Sequence, residues 1–120
     1  MIYTLPEGLT ELERRMFVDY LAVDQQDDVR AVIAEQLACA QAGPIDYTGV
    51  GFYRNFTFAP EAVVAHELPD CMLDLSFAEH PDLIGGAFFM LAIRYGVVSY
   101  LEAITATGEW PLNEELFTFG

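Results

Sequence analysis

Apolar side chains recur every three or four residues in two segments near the start of the chain. The first segment carries Leu12, Met16, Phe17, Tyr20 and Leu21. The second carries Val29, Val32, Ile33, Leu37 and Ala40. This period is typical of amphipathic helices, and it predicts one helix over residues 10–23 and another over residues 27–42.

The ends of these two helices carry their own signals. Thr10 precedes the first apolar run, and Glu13 follows three residues later, which predicts a capping box. Gly43 and Pro44 predict the end of the second helix. One side of that helix is formed by alanines, namely Ala31, Ala34, Ala38 and Ala42. Small side chains permit close approach, so we expect this side to pack on the first helix or, alternatively, on a partner subunit.

From residue 45 onward the apolar positions alternate with a period of two, which predicts strands. The strand segments are YTGVGFYRNFTF, CMLDLSFA, AFFMLAIR and VVSYLEAITAT, with a short extended piece at Ala62–Val64 in the loop after the first. AFFMLAIR is apolar on both faces, which predicts a central strand covered on each side. Tyr95 and Gly96 predict a two-residue hairpin turn.

These elements predict an α+β fold of two layers. We expect two N-terminal helices to pack on an antiparallel sheet of about four strands. The sheet would span residues 45–107 and would be followed by a tail over residues 108–120. A chain of 120 residues is long enough to bury a hydrophobic core as a single domain, residues 1–120.

The charge of the chain indicates which classes of binding partner to expect. It has 19 acidic residues against 5 basic ones, all arginines, which gives a net charge of −14. Such a surface repels nucleic-acid phosphates and anionic lipids, so we expect neither nucleic-acid nor membrane binding. It would attract a basic protein partner. The alternative is that the acidic residues serve solubility alone.

The cysteines, the N-terminal residues and the length of the apolar stretches indicate the cellular compartment. Cys39 and Cys71 form no CxxC motif, and two reduced, half-buried thiols are expected. The first residues show no basic segment followed by an apolar run, and the apolar stretches are short of a membrane span. We therefore expect a cytoplasmic protein.

Three segments resemble a family of small uncharacterised bacterial proteins. Its members share a Thr-Gly-Val-Gly-Phe strand after two helices, and a Leu-Glu…Trp-Pro segment near the end. The matching positions are Thr48, Gly49, Val50, Gly51, Phe52, Phe56, Gly86, Phe88, Gly96, Leu101, Glu102, Gly108, Trp110 and Pro111. Tyr95 departs from the pattern, since an acid precedes the glycine in the family. The resemblance covers roughly the last two-thirds of the chain and implies the fold, but it implies no activity.

The sequence lacks the common catalytic and metal-binding motifs. It has no nucleophile-elbow serine, no HExxH helix, no P-loop and no dinucleotide-binding fingerprint. His66 and Cys71 lie at one end of a predicted strand, and Glu79, His80 and Asp82 lie at the other, about 25 Å away at strand rise. We expect no metal site and no cofactor, and we interpret the segment at His80 as a turn.

Arg54 occupies an unusual position, because it shares a strand face with Phe52 and Phe56. A guanidinium on an apolar face needs an acidic or carbonyl partner, or access to water. Glu102 is likewise an acid in the column of Tyr100 and Ile104, so an Arg54–Glu102 pair would account for both. The alternatives are that both side chains reach solvent, or that a bulge near Gly49–Gly51 changes the register.

Aromatic residues supply the remaining candidates for recognition, namely Tyr53, Phe89, Tyr100 and Trp110. Aromatic side chains next to acids suit a basic protein partner, although aromatics in a small domain are mostly core. We therefore expect a non-enzymatic protein that binds and neutralises a basic partner, of the immunity-protein or nuclease-inhibitor type. One alternative is a small-molecule-binding domain or small enzyme with a pocket near Arg54 and Glu102. The other is a homodimeric structural protein, and we expect at least weak dimerisation.

Overall fold

The computed structural model describes residues 4–22, 28–58 and 69–119. Within these ranges lie α1 (Glu11–Leu21), α2 (Asp28–Cys39), β1 (Ala40–Tyr47), β2 (Gly51–Phe58), β3 (Cys71–Glu79), β4 (Ala87–Arg94), β5 (Val97–Thr105), a 3₁₀ turn (Glu114–Leu116) and β6 (Thr118–Phe119). The strands form one antiparallel sheet in the order β1-β2-β5-β4-β3-β6. The predicted α+β fold with helices on a sheet is confirmed, but the described sheet has six strands rather than about four.

One of the additional strands, β1, occupies a segment that we predicted to be helix and turn. α2 ends at Cys39, and β1 begins at Ala40 rather than near residue 45. The register between β1 and β2 shifts between Ala42 and Ile45, where Gly43 and Pro44 form a bulge. Proline is tolerated at a bulge in an edge strand because its missing N–H removes no ladder hydrogen bond there. Pairing with β2 thus overrides the helix propensity of the alanines.

The start of β2 also differs from the predicted continuous strand. Thr48–Val50 is the loop of a β1–β2 hairpin, closed by the Thr48 N–H donating to the Gly51 carbonyl at 3.0 Å. Gly49 has φ of 92°, which a strand residue does not adopt. Gly51 then begins β2 so close to β5 that a Cβ would overlap the carbonyl oxygen of Ala103.

The second additional strand lies in the segment that we predicted to be a tail. β6 pairs with β3 at Ala78↔Phe119 and Glu79↔Thr118. Two residues are too few to show a period of two, so the alternation used for the other strands could not indicate it.

The predicted hairpin and central strand are confirmed. Tyr95 and Gly96 have φ of 54° and 75°, as a two-residue turn with positive φ at both positions requires, and β4 lies between β5 and β3. The expected cover on both faces of β4 is wrong, because Phe88 is 45% exposed. The predicted extended piece at Ala62–Val64 lies outside the described residues.

Both helices pack on one face of the sheet, where the core lies. Its fully buried side chains include Phe17, Leu21, Ile33, Leu37, Phe52, Phe89, Leu91, Ile93 and Leu101. Gln36 fixes α2 to the β4–β5 turn, accepting from the Val98 N–H at 2.8 Å and donating to the Gly96 carbonyl at 2.7 Å. Ala31 and Ala38 are exposed, so the prediction that the alanine side packs on α1 is wrong for them. α2 instead contacts β1 and β5.

Candidate interaction surface

Arg54 lies on the buried face of β2, as its strand position predicts, but its partner is Glu13 rather than Glu102. Its Nη2 lies 2.8 Å from Glu13 Oε1, and its Nε donates to Glu13 Oε2 at 3.1 Å. Its Nη1 donates to the Gly43 carbonyl at 2.8 Å. The Arg54 side chain is 7% exposed and that of Glu13 is fully buried. This arrangement is a bidentate, buried ion pair.

Glu13 reaches Arg54 because of its place on α1. It completes the predicted capping box, accepting at Oε1 from the Thr10 N–H at 2.8 Å while the Thr10 hydroxyl accepts from the Glu13 N–H at 3.2 Å. Glu13 is three, four and seven residues from Met16, Phe17 and Tyr20, so it shares their buried helical face. That spacing is a sequence signal from which the inward carboxylate could have been predicted. The ion pair joins the start of α1 to β2 and to the β1 bulge.

The Arg54–Glu102 pair is wrong because the two side chains project from opposite faces of the sheet. Arg54 pairs in register with Leu101, and Tyr53 pairs with Glu102. Leu101 is buried in the core, whereas Glu102 accepts from the Tyr53 hydroxyl at 3.1 Å on the other side of the sheet. Since Arg54 and Glu102 point in opposite directions, they do not line a common pocket.

Tyr53, Tyr100 and Glu102 form a group on the face of the sheet away from the helices. The rings of Tyr53 and Tyr100 meet edge to face, with centroids 5.8 Å apart. The hydrogen bond to the Glu102 carboxylate, followed by its negative charge, raises the pKa of Tyr53, because both oppose phenolate formation. The Tyr100 hydroxyl lies 3.8 Å from Met72 Sδ. Three of the five predicted site residues are thus neighbours.

The register extends this group into a surface of twelve residues, which we call the outer face. Its rows across β2, β5, β4 and β3 are Tyr53–Glu102–Met90–Asp74, Asn55–Tyr100–Ala92–Met72 and Gly51–Ile104–Phe88–Phe77. Phe77 and Phe88 are in contact, with ring centroids 5.3 Å apart. Tyr53, Met72, Phe77 and Phe88 are 37–45% exposed. The outer face is therefore an apolar and aromatic surface that carries two carboxylates, Asp74 and Glu102. Arg94, two residues beyond Ala92 on β4, lies at its margin and donates to the Cys71 and Ile93 carbonyls.

Trp110 lies outside this surface, in an aromatic cluster at another end of the fold. Its ring contacts Phe52 and Phe117, with centroids 5.5 and 5.0 Å away. Its Nε1–H donates to Glu114 Oε2 at 2.8 Å, and the Tyr47 hydroxyl donates to the same oxygen at 3.1 Å. Burial, and then the charge of Glu114, raise the pKa of Tyr47 to about 12. Tyr47, Trp110 and Glu114 line an open cavity of about 420 Å³.

Phe89, the remaining aromatic candidate, is 1% exposed and belongs to the core. The structure therefore does not place it on a recognition surface.

The acidic and the basic side chains differ in how far they are exposed. All five arginines are at least partly buried, and each donates to a backbone carbonyl. The acceptors are Pro6 for Arg14, Phe117 and Glu114 for Arg15, Tyr20 for Arg30, Gly43 for Arg54, and Cys71 and Ile93 for Arg94. In contrast, twelve Asp and Glu residues in the described ranges are exposed. Every exposed charged side chain that the structure describes is therefore a carboxylate.

The predicted turn at His80 is present. His80 Nδ1 accepts from the Asp82 N–H at 3.0 Å, and its Nε2 lies 2.9 Å from the Asn113 carbonyl oxygen. Among the described residues, no three His, Cys, Asp or Glu side chains are placed to hold a metal ion. His66, one of the residues considered above, lies outside those ranges. Cys39 and Cys71 are free thiols, the first exposed and the second half-buried.

Comparisons of the chain with protein-family models, with curated proteins and with solved structures found no match. None of the described helices is long and apolar enough to cross a membrane.

Proposed function

We propose that this chain is a non-enzymatic, cytoplasmic interaction protein that uses its acidic surface to bind and neutralise a basic protein. An immunity protein that blocks a toxin, or a nuclease inhibitor, is the concrete form. The observation that carries the proposal is the difference in exposure between the acidic and the basic side chains. The arginines donate to carbonyl groups within the fold, and the exposed charged side chains of the described residues are carboxylates.

With 19 acidic residues against 5 basic ones, the field outside the protein is predominantly negative. A field of one sign accelerates the association of a partner of the opposite sign. Carboxylates also accept the same N–H donors as phosphates, so an acidic surface can compete for the basic cleft of a nuclease.

Affinity capture from an extract of the cells that encode the chain tests the proposal. The immobilised chain should retain a basic protein in about 0.1 M salt and release it in about 1 M salt, where the screening length falls from about 10 Å to about 3 Å. An unrelated acidic protein of similar size and net charge is the matched control, and it should not retain the same protein.

Neutralisation is tested on the purified partner. The chain should abolish the partner's activity at a stoichiometric ratio, and its inhibition constant should increase with salt. The proposal would be refuted if the specifically retained proteins were neutral or acidic, or if a retained basic protein kept full activity when bound.

A further inference from the structure

The outer face is an exposed surface that neither of the described helices covers. The helices pack on the opposite side of the sheet, where the core lies. Large apolar side chains remain exposed across three strands, with Phe88 45%, Phe77 44%, Met72 38% and Tyr53 37% exposed. Contiguous apolar side chains of this kind, mixed with polar ones, are typical of interaction sites.

The charge on this surface decides which occupant suits it. Asp74 and Glu102 are the charged members of the outer face, and both are acidic. They lie on β3 and β5, separated by Met90 on β4, which puts their strands about 10 Å apart. Neither has a basic neighbour among the twelve residues that define the face. A partner with positive charge and apolar surface would therefore complement it.

A second copy of the chain would not complement it. Two outer faces packed against each other would bring four carboxylates together, and each copy has a net charge of −14. Like charges brought together at an interface oppose association. The apolar area favours contact between two copies, but the charge favours a different, basic molecule.

We infer that the outer face is the docking surface for the basic protein, and that arginine side chains of that protein make the central contacts. This inference rests on the proposed function and deepens it. A guanidinium can stack on the rings of Tyr53, Tyr100 or Phe88 while it donates two hydrogen bonds to a carboxylate. Glu102 is oriented for such a contact, since the Tyr53 hydroxyl holds its Oε2 at 3.1 Å. A lysine ammonium is more strongly hydrated and cannot form the planar, bidentate contact.

The probe for this inference is a synthetic peptide in which arginine alternates with leucine, titrated into the isotopically labelled chain and followed by amide chemical shifts. The saturable shifts should concentrate on β2, β5, β4 and β3 around Tyr53, Phe88 and Glu102. The corresponding lysine peptide should bind about threefold more weakly, as the loss of one stacked guanidinium predicts. A glutamate peptide should produce no shifts.

Two charge-matched variants separate the outer face from the rest of the acidic surface. Asp74→Asn with Glu102→Gln should weaken binding of the arginine peptide about tenfold, as the loss of two exposed ion pairs predicts. Asp28→Asn with Glu35→Gln removes the same charge from α2, on the helical side, and should change the affinity by less than about twofold. Phe88→Thr removes a ring but no charge and should weaken binding about threefold. The amide spectra show directly whether each variant is folded.

The inference would be overturned by shifts centred on the helices, by equal losses in the two charge-matched variants, or by no saturable binding of the arginine peptide. A chain that binds through its outer face to a second copy, seen as a dimer whose contact shifts fall on the same strands, would also overturn it. These failures differ from failure of the proposed function. If the captured basic partner is still inhibited while the outer-face variants leave its affinity unchanged, the proposed function remains and only this docking surface is wrong.

Discussion

Replacing Arg54 with methionine removes the cation of the buried ion pair while keeping a side chain of similar length. In the native protein Arg54 makes two contacts with Glu13, at 2.8 and 3.1 Å, and one with the Gly43 carbonyl. In the variant, the fully buried carboxylate of Glu13 loses both contacts with Arg54 and keeps its hydrogen bond from the Thr10 N–H. A buried charge without its counter-ion is the most costly outcome, because neither water nor a cation compensates it.

The expected loss is about 3–5 kcal/mol in the free energy of unfolding, the usual cost of removing one member of a buried ion pair. Glu13→Gln should lose a similar amount, because it leaves the Arg54 guanidinium uncompensated while preserving an oxygen for the capping box. The double variant should lose much less than the sum of the two, because both ions are then absent from the interior. We expect a coupling energy of about 2–3 kcal/mol.

Denaturant unfolding of the two single variants and the double variant measures this coupling. The matched control is the cycle of Arg54→Met with Glu102→Gln, whose effects should add to within about 0.5 kcal/mol because the two side chains lie on opposite faces. If the Arg54 and Glu13 losses were additive, the ion pair would not be the structural link described above. If Arg54 instead coupled to Glu102, the register of β2 and β5 would be wrong.

Three further predictions concern other parts of the fold. Gly51→Ala should destabilise the protein by about 3 kcal/mol, because the added Cβ would overlap the Ala103 carbonyl. Gly49→Ala should cost only about 1 kcal/mol for its positive φ, because a Cβ there meets open space. Denaturant unfolding compares the two variants, and equal losses of stability would contradict the close approach of Gly51 to β5. The raised pKa of Tyr47 favours the protonated phenol in the folded state, so its contribution to stability should be complete below pH 10 and should disappear as the pH rises towards 12. Glu114→Gln should lower the pKa of Tyr47 in an ultraviolet titration, but the part of the increase that burial causes should remain. An unchanged titration would contradict the role assigned to the Glu114 charge. The weak dimer expected from the sequence should form only at high salt, where like charges are screened; strictly monomeric mass by light scattering at high protein and salt concentrations would exclude it.

The features that the sequence predicted correctly depend on short-range signals. The capping box needs residues three positions apart, and the Tyr95–Gly96 turn needs two adjacent ones, so both are encoded locally. The position of Arg54 on the buried face also follows from the alternation within one strand.

The features that the sequence did not predict depend on pairing between distant segments. β1 follows a helix and contains Gly43 and Pro44, which locally favour a turn, and it is a strand because β2 lies beside it. The predicted partner of Arg54 is wrong because that prediction depended on which alternate residues of β5 face the core. A register shift between Ala92 and Ile93, opposite Val98 and Tyr100, places Val98 inward and Tyr100 outward. The regular alternation that we assumed for β5 does not allow for such a bulge.

The dissociation constant of the chain with its captured basic partner, measured by calorimetry over a range of salt concentrations, tests the central claim most directly. If the exposed carboxylates drive the interaction, the affinity should decrease by at least about tenfold between about 0.1 M and about 1 M salt. The association rate should decrease more than the dissociation rate increases, because long-range attraction acts before contact. An affinity that is independent of salt would contradict the account.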